Sequence, residues 1–121
     1  MAKILIVDDN DFVRSFCRDV LEEAGHEIDE AVNGKEALEK YKNGFDCILL
    51  DVIMPGMDGL DVLRELRLED KNIPVLLMTG DDPGWARRSH EQYGASGFLS
   101  KALGAEKLVS QVEEIILESE S

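Results

Sequence analysis

Three short apolar runs stand out along the chain: "ILIV" at Ile4 to Val7, "CILL" at Cys47 to Leu50 and "VLLM" at Val75 to Met78. None alternates polar with apolar positions, as expected of strands covered on both faces. Segments of helical period lie between and around them. The first places Val13, Phe16, Cys17, Val20, Leu21 and Ala24 on one face and stops at Gly25. The second opens on "NGKE", where Asn33 caps and Glu36 reaches back, and carries Ala37, Leu38 and Tyr41 inward. A third follows Asp58 with Leu60, Leu63 and Leu66, and the last carries Leu108, Val109, Val112, Ile115 and Ile116. "EIDEAV" (Glu27 to Val32) is a more polar strand suited to a sheet edge, and "GFL" (Gly97 to Leu99) is a brief final strand.

Strands alternating with helices in this way predict parallel pairing through crossover connections, hence a doubly wound α/β sheet with helices on both faces. The stretch "DDPGWARRSHEQYG", Asp81 to Gly94, is the weakest element. Pro83 and Gly84 interrupt its start, and only Ala86, His90 and Tyr93 form an inward stripe, so a short, shifted fourth helix is expected there.

With 121 residues, the chain is expected to form one domain over 1–121. Its formal charge of -13 argues against a nucleic-acid ligand, since that affinity comes from Lys and Arg neutralising phosphates. Most of the acidity is assigned to solvated helix faces. The two cysteines, Cys17 and Cys47, have no metal-ligand spacing and read as buried free thiols of a reducing cytoplasm. No apolar run approaches a membrane span, and "MAKILIVDD" turns acidic too early for a signal peptide. A cytoplasmic location without a membrane partner is expected. His26 and His90 lack partners at metal spacing and are expected to be structural.

In an open parallel sheet, ligands sit beyond the carboxyl ends of the strands. The residues found there are Asp8 and Asp9 after the first strand, Asp51 after the third, Thr79 after the fourth and Lys101 shortly after the fifth. Each aspartate alone reads as a helix cap. Together, three carboxylates repel one another unless a cation enters, and hard oxygens with open positions suit Mg²⁺ or Mn²⁺. A phosphoryl group arriving there meets a hydroxyl and an ammonium, and a carboxylate to act as nucleophile.

Through "ILIVDDN", "CILLDVIMPGMDG", "VLLMTG" and "GASGFLSK", the chain resembles the receiver domains of two-component response regulators, in particular the stand-alone, chemotaxis-regulator type. The resemblance implies a flavodoxin-like (βα)5 three-layer sandwich of strand order 2-1-3-4-5. It also implies that Asp51 accepts a phosphoryl group from a histidine kinase, a phosphotransfer protein or a small phosphodonor. The metal would be held by Asp8, Asp9, Asp51 and the backbone carbonyl of Ile53, with Thr79 and Lys101 on phosphoryl oxygens. Phe98 would be the switch residue, drawn inward to remodel the surface of the fourth helix, fifth strand and fifth helix for a downstream protein. On this reading the domain is a signalling element rather than a true enzyme, a monomer or weak dimer, and signals through protein contact unless the chain is part of a longer regulator or hybrid kinase.

The chain departs from the family pattern at several positions. Ala102 replaces the usual proline after Lys101, and because a non-proline cis peptide costs about 3 kcal/mol the bond is expected to be trans. Phe98 has no hydroxyl, leaving a switch based on packing alone. His90 stands where the family favours a small residue. Trp85 either anchors a partner or folds over the local core. Ile53 and Asp81 occupy positions resembling those that tune phosphate lifetime, and apolar Ile53 is expected to slow hydrolysis; an Ile53→Asn variant losing its phosphoryl group no faster would refute this.

The main rival reading is a haloacid-dehalogenase-like phosphatase, with Asp9 as nucleophile and Asp11 as general acid. It leaves "DVIMPGMDG" without a role. A phosphorylation-independent docking scaffold is the second alternative. A flavodoxin-like electron carrier conflicts with the acidic "VDDNDF" loop, and "DNDFVRS" lacks the glycine and later ligands of an EF-hand.

Overall fold

The computed structural model describes residues 1–52, 54, 56, 58–80, 94–102 and 104–120. Its elements are β1 (Lys3–Val7), α1 (Asp11–Glu23), β2 (Glu27–Ala31), α2 (Gly34–Tyr41), β3 (Cys47–Asp51), α3 (Gly59–Glu69), β4 (Val75–Thr79), β5 (Gly97–Ser100) and α4 (Ala105–Glu120). The helix here called α4 is the one the sequence places fifth. The expected fourth helix, with Asp81, Pro83, Gly84, Trp85 and His90, lies outside the described residues, as do Ile53 and Pro55.

All four strand pairings are parallel, in the order β2-β1-β3-β4-β5. Side chains alternate between faces along each strand. Leu5, Val7, Ile48, Leu50, Val75 and Leu77 therefore enter the core that α2 and α3 close with Ala37, Val62, Leu63 and Leu66. Ile4, Ile6, Cys47, Leu49, Leu76, Met78 and Leu99 face Cys17, Leu21, Leu108, Val112 and Ile116 of α1 and α4. This double burial is why the three central strands read as unbroken apolar runs.

The polar strand β2 is the edge expected. Arg14 and Arg18 of α1 both pair with Glu30, and Lys40 of α2 pairs with Asp29 at 3.1 Å and donates to the Glu30 carbonyl at 2.7 Å. Long cationic side chains from both helix layers thus cover an edge that would otherwise invite pairing. Two caps follow the sequence signals. Asn33 Oδ1 accepts from the Glu36 amide at 2.8 Å, while Glu36 reaches back to the amide of Val32 at 3.1 Å, one residue beyond the usual capping-box partner. Asp58 caps α3 by accepting from the Asp61 amide at 3.0 Å.

One inward expectation is corrected. Phe16 is 39% exposed and Phe12, one turn earlier, 81% exposed, while Cys17 and Leu21 carry the buried line of α1. Both rings border a small cavity of about 70 Å³ shared with Leu99, Lys101 and Leu108. Ala24 is likewise exposed, at the C-cap of α1.

Both cysteines are free and buried, and burial pushes their thiols up, to about 11 for Cys17 and about 12 for Cys47. His26 is a structural residue: its Nδ1 accepts from the Ala2 amide at 3.0 Å, and its Nε2 lies 2.8 Å from Glu113 of α4. Among the described residues no peptide is cis, so Lys101–Ala102 is trans. No helix among them is long and apolar enough to cross a membrane.

Candidate functional site

Strand register brings the acidic residues together. Val7 lies opposite Leu50 across β1 and β3, so the next residues on each strand, Asp8 and Asp51, emerge side by side. Asp51 in turn stands opposite Met78, and Thr79 opposite Ser100, which places Lys101 one step beyond the same rim. The Lys101 amide donates to the Thr79 carbonyl at 2.8 Å and fixes the start of the loop that carries the ammonium.

Asp8 is fully buried and Asp51 only 2% exposed, the two buried charged residues among those described. Asp9 is exposed at the mouth. Each of the three offers a carboxylate oxygen, all within 4.8 Å of one another. Asp8 is held through its backbone: its amide donates to the Ala31 carbonyl at 3.1 Å, and its carbonyl accepts from Arg14 Nη1 at 2.7 Å. Its Oδ1 accepts from the Asn10 amide at 2.8 Å. The cap of α1 is Asn10 itself, whose side chain accepts from the Val13 amide at 3.0 Å. That frees both aspartates from the capping role each would fill alone.

Lys101 supplies the positive charge. Its Nζ lies 3.0 Å from Asp51 Oδ1 and 3.3 Å from Asp8 Oδ2. The second contact is an ion pair without hydrogen-bond alignment, leaving Asp8 Oδ2 buried with no hydrogen bond. Burial alone lowers the Lys101 pKa, but the hydrogen bond to Asp51 and the charges of Asp51 and Asp8 outweigh it and raise the pKa above that of ordinary lysine.

Among the described residues, one ammonium lies against three clustered carboxylates, which repel one another. An oxygen that is desolvated, charged and without a hydrogen bond is costly. A hard divalent cation relieves that cost, and an all-carboxylate donor set matches Mg²⁺ or Mn²⁺ better than a softer ion. The residues present therefore fit such a metal.

The remaining expected residues are placed less directly. Thr79 ends β4, and its Oγ1 donates to the Leu99 carbonyl at 3.5 Å. Phe98 is partly buried and packs on the α2/α3 side of the sheet. The Ile53 carbonyl lies outside the described residues. Asn10 and Arg14, which hold Asp8, were not expected from sequence. Their signal is a cap residue directly after "DD" and an arginine one helical turn later.

The family model for the response regulator receiver domain matches residues 4–113. The transcriptional regulatory protein SrrA of Staphylococcus aureus is 36% identical over 120 residues, covering 98% of this chain but 49% of SrrA, so the chain spans about half the length of the curated relatives it matches. Chemotaxis protein CheY4 of Vibrio cholerae superposes with a TM-score of 0.90 at 33% identity, covering 95% of this chain and 98% of CheY4. A CheY-like receiver domain protein of Methanospirillum hungatei gives a TM-score of 0.91 at 26% identity over 99% of this chain and 97% of the other. The rim of strand-end carboxylates, the strand order and these likenesses lead to one conclusion: the chain belongs to the response regulator receiver domain family.

Proposed function

We propose that residues 1–121 act as a phosphoacceptor receiver in a two-component phosphorelay, with Asp51 as the acceptor. The observation that carries this is Lys101 Nζ at 3.0 Å from Asp51 Oδ1, on a buried carboxylate flanked by Asp8 and Asp9. An Asp51 carboxylate oxygen attacks the phosphorus of a phosphohistidine or a small acyl phosphate. An O–P bond forms, the donor's N–P or O–P bond breaks, and the leaving imidazole or carboxylate takes the electron pair. Lys101 moves from a carboxylate partner to a phosphoryl-oxygen partner, and the Thr79 hydroxyl exchanges the Leu99 carbonyl for another phosphoryl oxygen. Mg²⁺ or Mn²⁺, held by Asp8, Asp9, Asp51 and the Ile53 carbonyl, would supply the charge that neutralises the incoming phosphoryl oxygens.

The product exchanges one carboxylate charge for a larger anion beside Lys101. Phe98, partly buried against the α2/α3 core, is the side chain whose repacking transmits this to β5 and α4, where a downstream protein reads it. The chain itself is a signalling element that assists its own phosphorylation and dephosphorylation, in the cytoplasm, as a monomer or weak dimer. Incubation with acetyl phosphate tests the proposal. Wild type is expected to gain one phosphoryl group in the presence of Mg²⁺ and none in EDTA, and Asp51→Asn none in either. Equal incorporation into Asp51→Asn would refute it.

A further inference from the structure

Gly59 opens α3, directly after its cap Asp58, and its amide donates to the Val52 carbonyl at 2.8 Å. A Cβ built on Gly59 would stand 2.2 Å from the Asp51 carbonyl oxygen, 2.7 Å from Val52 Cα and 2.9 Å from the Asp51 carbonyl carbon. All three atoms are backbone, so no side chain can swing aside to make room. The φ of Gly59 is not in the left-handed region. Alanine is also the better helix former. Neither backbone conformation nor helix propensity calls for glycine here; space does.

That space is set against the residue carrying the reactive carboxylate. From β4, the Met78 carbonyl accepts from the Val52 amide at 3.3 Å; from the other side, the start of α3 touches the Asp51–Val52 peptide. We infer that Gly59 is a positioning residue for phosphoryl transfer: by letting α3 seat directly on the Asp51 backbone, it fixes where the Asp51 carboxylate stands relative to Asp8, Asp9 and Lys101. The inference rests on the phosphoacceptor reading of Asp51. A methyl group at Gly59 forces that peptide back by roughly 1 Å to reach ordinary contact. The displacement is large against the 3.0 Å bond from Lys101 to Asp51.

Gly59→Ala is the test, with Gly25→Ala as control, since Gly25 has φ +97 and nothing within 4 Å of a Cβ, so its substitution strains the backbone away from the site. Both variants are studied in a stabilising osmolyte with the folded fraction measured by circular dichroism. Per folded molecule, Gly59→Ala is expected to take a phosphoryl group from acetyl phosphate about 100-fold more slowly than wild type. By calorimetry without any phosphodonor, it is expected to bind Mg²⁺ about 10-fold more weakly. Gly25→Ala should match wild type in both. Gly59→Ala matching the control overturns the inference, and so does a Gly59→Ala chain that never folds, because the contact would then serve the fold rather than the site. A wild-type chain that takes no phosphoryl group overturns the phosphoacceptor reading itself and any role of Gly59 in transfer with it.

Discussion

Lys101 Nζ stands between Asp51 and Asp8, 3.0 Å from one carboxylate and 3.3 Å from the other. On the phosphoacceptor reading the same lysine must serve two ends, neutralising the carboxylates at rest and binding a phosphoryl oxygen after transfer. Lys101→Met should separate these roles. Removing the ammonium takes a charged partner from two buried carboxylates and should lower stability by about 1–3 kcal/mol in metal-free buffer. It also removes the competitor for the same oxygens, so Mg²⁺ should bind more tightly while phosphoryl uptake is lost. Weaker Mg²⁺ binding by calorimetry would count against competition.

Asp8 bears the cost of the arrangement, because its Oδ2 is buried without a hydrogen bond. Asp8→Asn should raise the metal-free melting temperature, worth about 1–2 kcal/mol, by removing a desolvated charge from the cluster. In wild type, Mg²⁺ at 100 times its Kd should stabilise by about 2.7 kcal/mol, and EDTA should reverse this. The variant should show no such response. A wild type whose melting point ignores millimolar Mg²⁺ would contradict the metal assignment.

The fold carries an alkaline weakness. Both thiols have folded-state pKa values raised by burial, to about 11 for Cys17 and about 12 for Cys47, so the folded chain keeps protons that the unfolded chain releases. That contribution is complete below the unfolded thiol value of about 8.5 and is lost as pH rises through the folded values. Lys101 adds a loss of the same sign above about pH 10.4, where the unfolded lysine deprotonates first. Denaturant midpoints should fall steadily from pH 9 to 11, and the double variant Cys17→Ala/Cys47→Ala should show a shallower fall. Equal slopes would assign the loss elsewhere.

Much of this could be read from the chain because the relevant signals are local. The central strands are buried on both faces and so are apolar throughout, and a residue one step past each falls at the same rim by the geometry of parallel pairing. Asp8, Asp9, Asp51 and Lys101 could be placed side by side at that rim in this way. Phe16 was misplaced because helical period marks a face but not where the buried part of that face ends, and Phe16 stands at its margin, on the rim of a small cavity. Gly59 and Arg67 were missed for a different reason. The role of each is a close approach to backbone atoms outside its own helix, and a glycine in "DG" or an arginine in a helix looks ordinary until the approach is seen.

Arg67 is the clearer of these two in energy. Its guanidinium donates to the carbonyls of Gly94 at 2.8 Å, Asp70 at 3.1 Å and Ile73 at 2.8 Å, tying the end of α3 to the entry of β5. Burial lowers its pKa despite the nearby Asp70. Arg67→Met should cost about 2–4 kcal/mol, because three carbonyls lose a charged donor at once. Amide exchange at Ala95 and Ser96 should quicken before that of β1 and β3. Unchanged exchange there would show that β5 does not depend on the tie.

The most direct measurement is the identity of the aspartate that carries the phosphoryl group. After acetyl phosphate and Mg²⁺, borohydride reduction and peptide mapping should convert Asp51 alone to homoserine, with Asp8 and Asp9 recovered intact. Label at Asp9, the nucleophile of the phosphatase reading, or no label at all would contradict the phosphoacceptor role of Asp51.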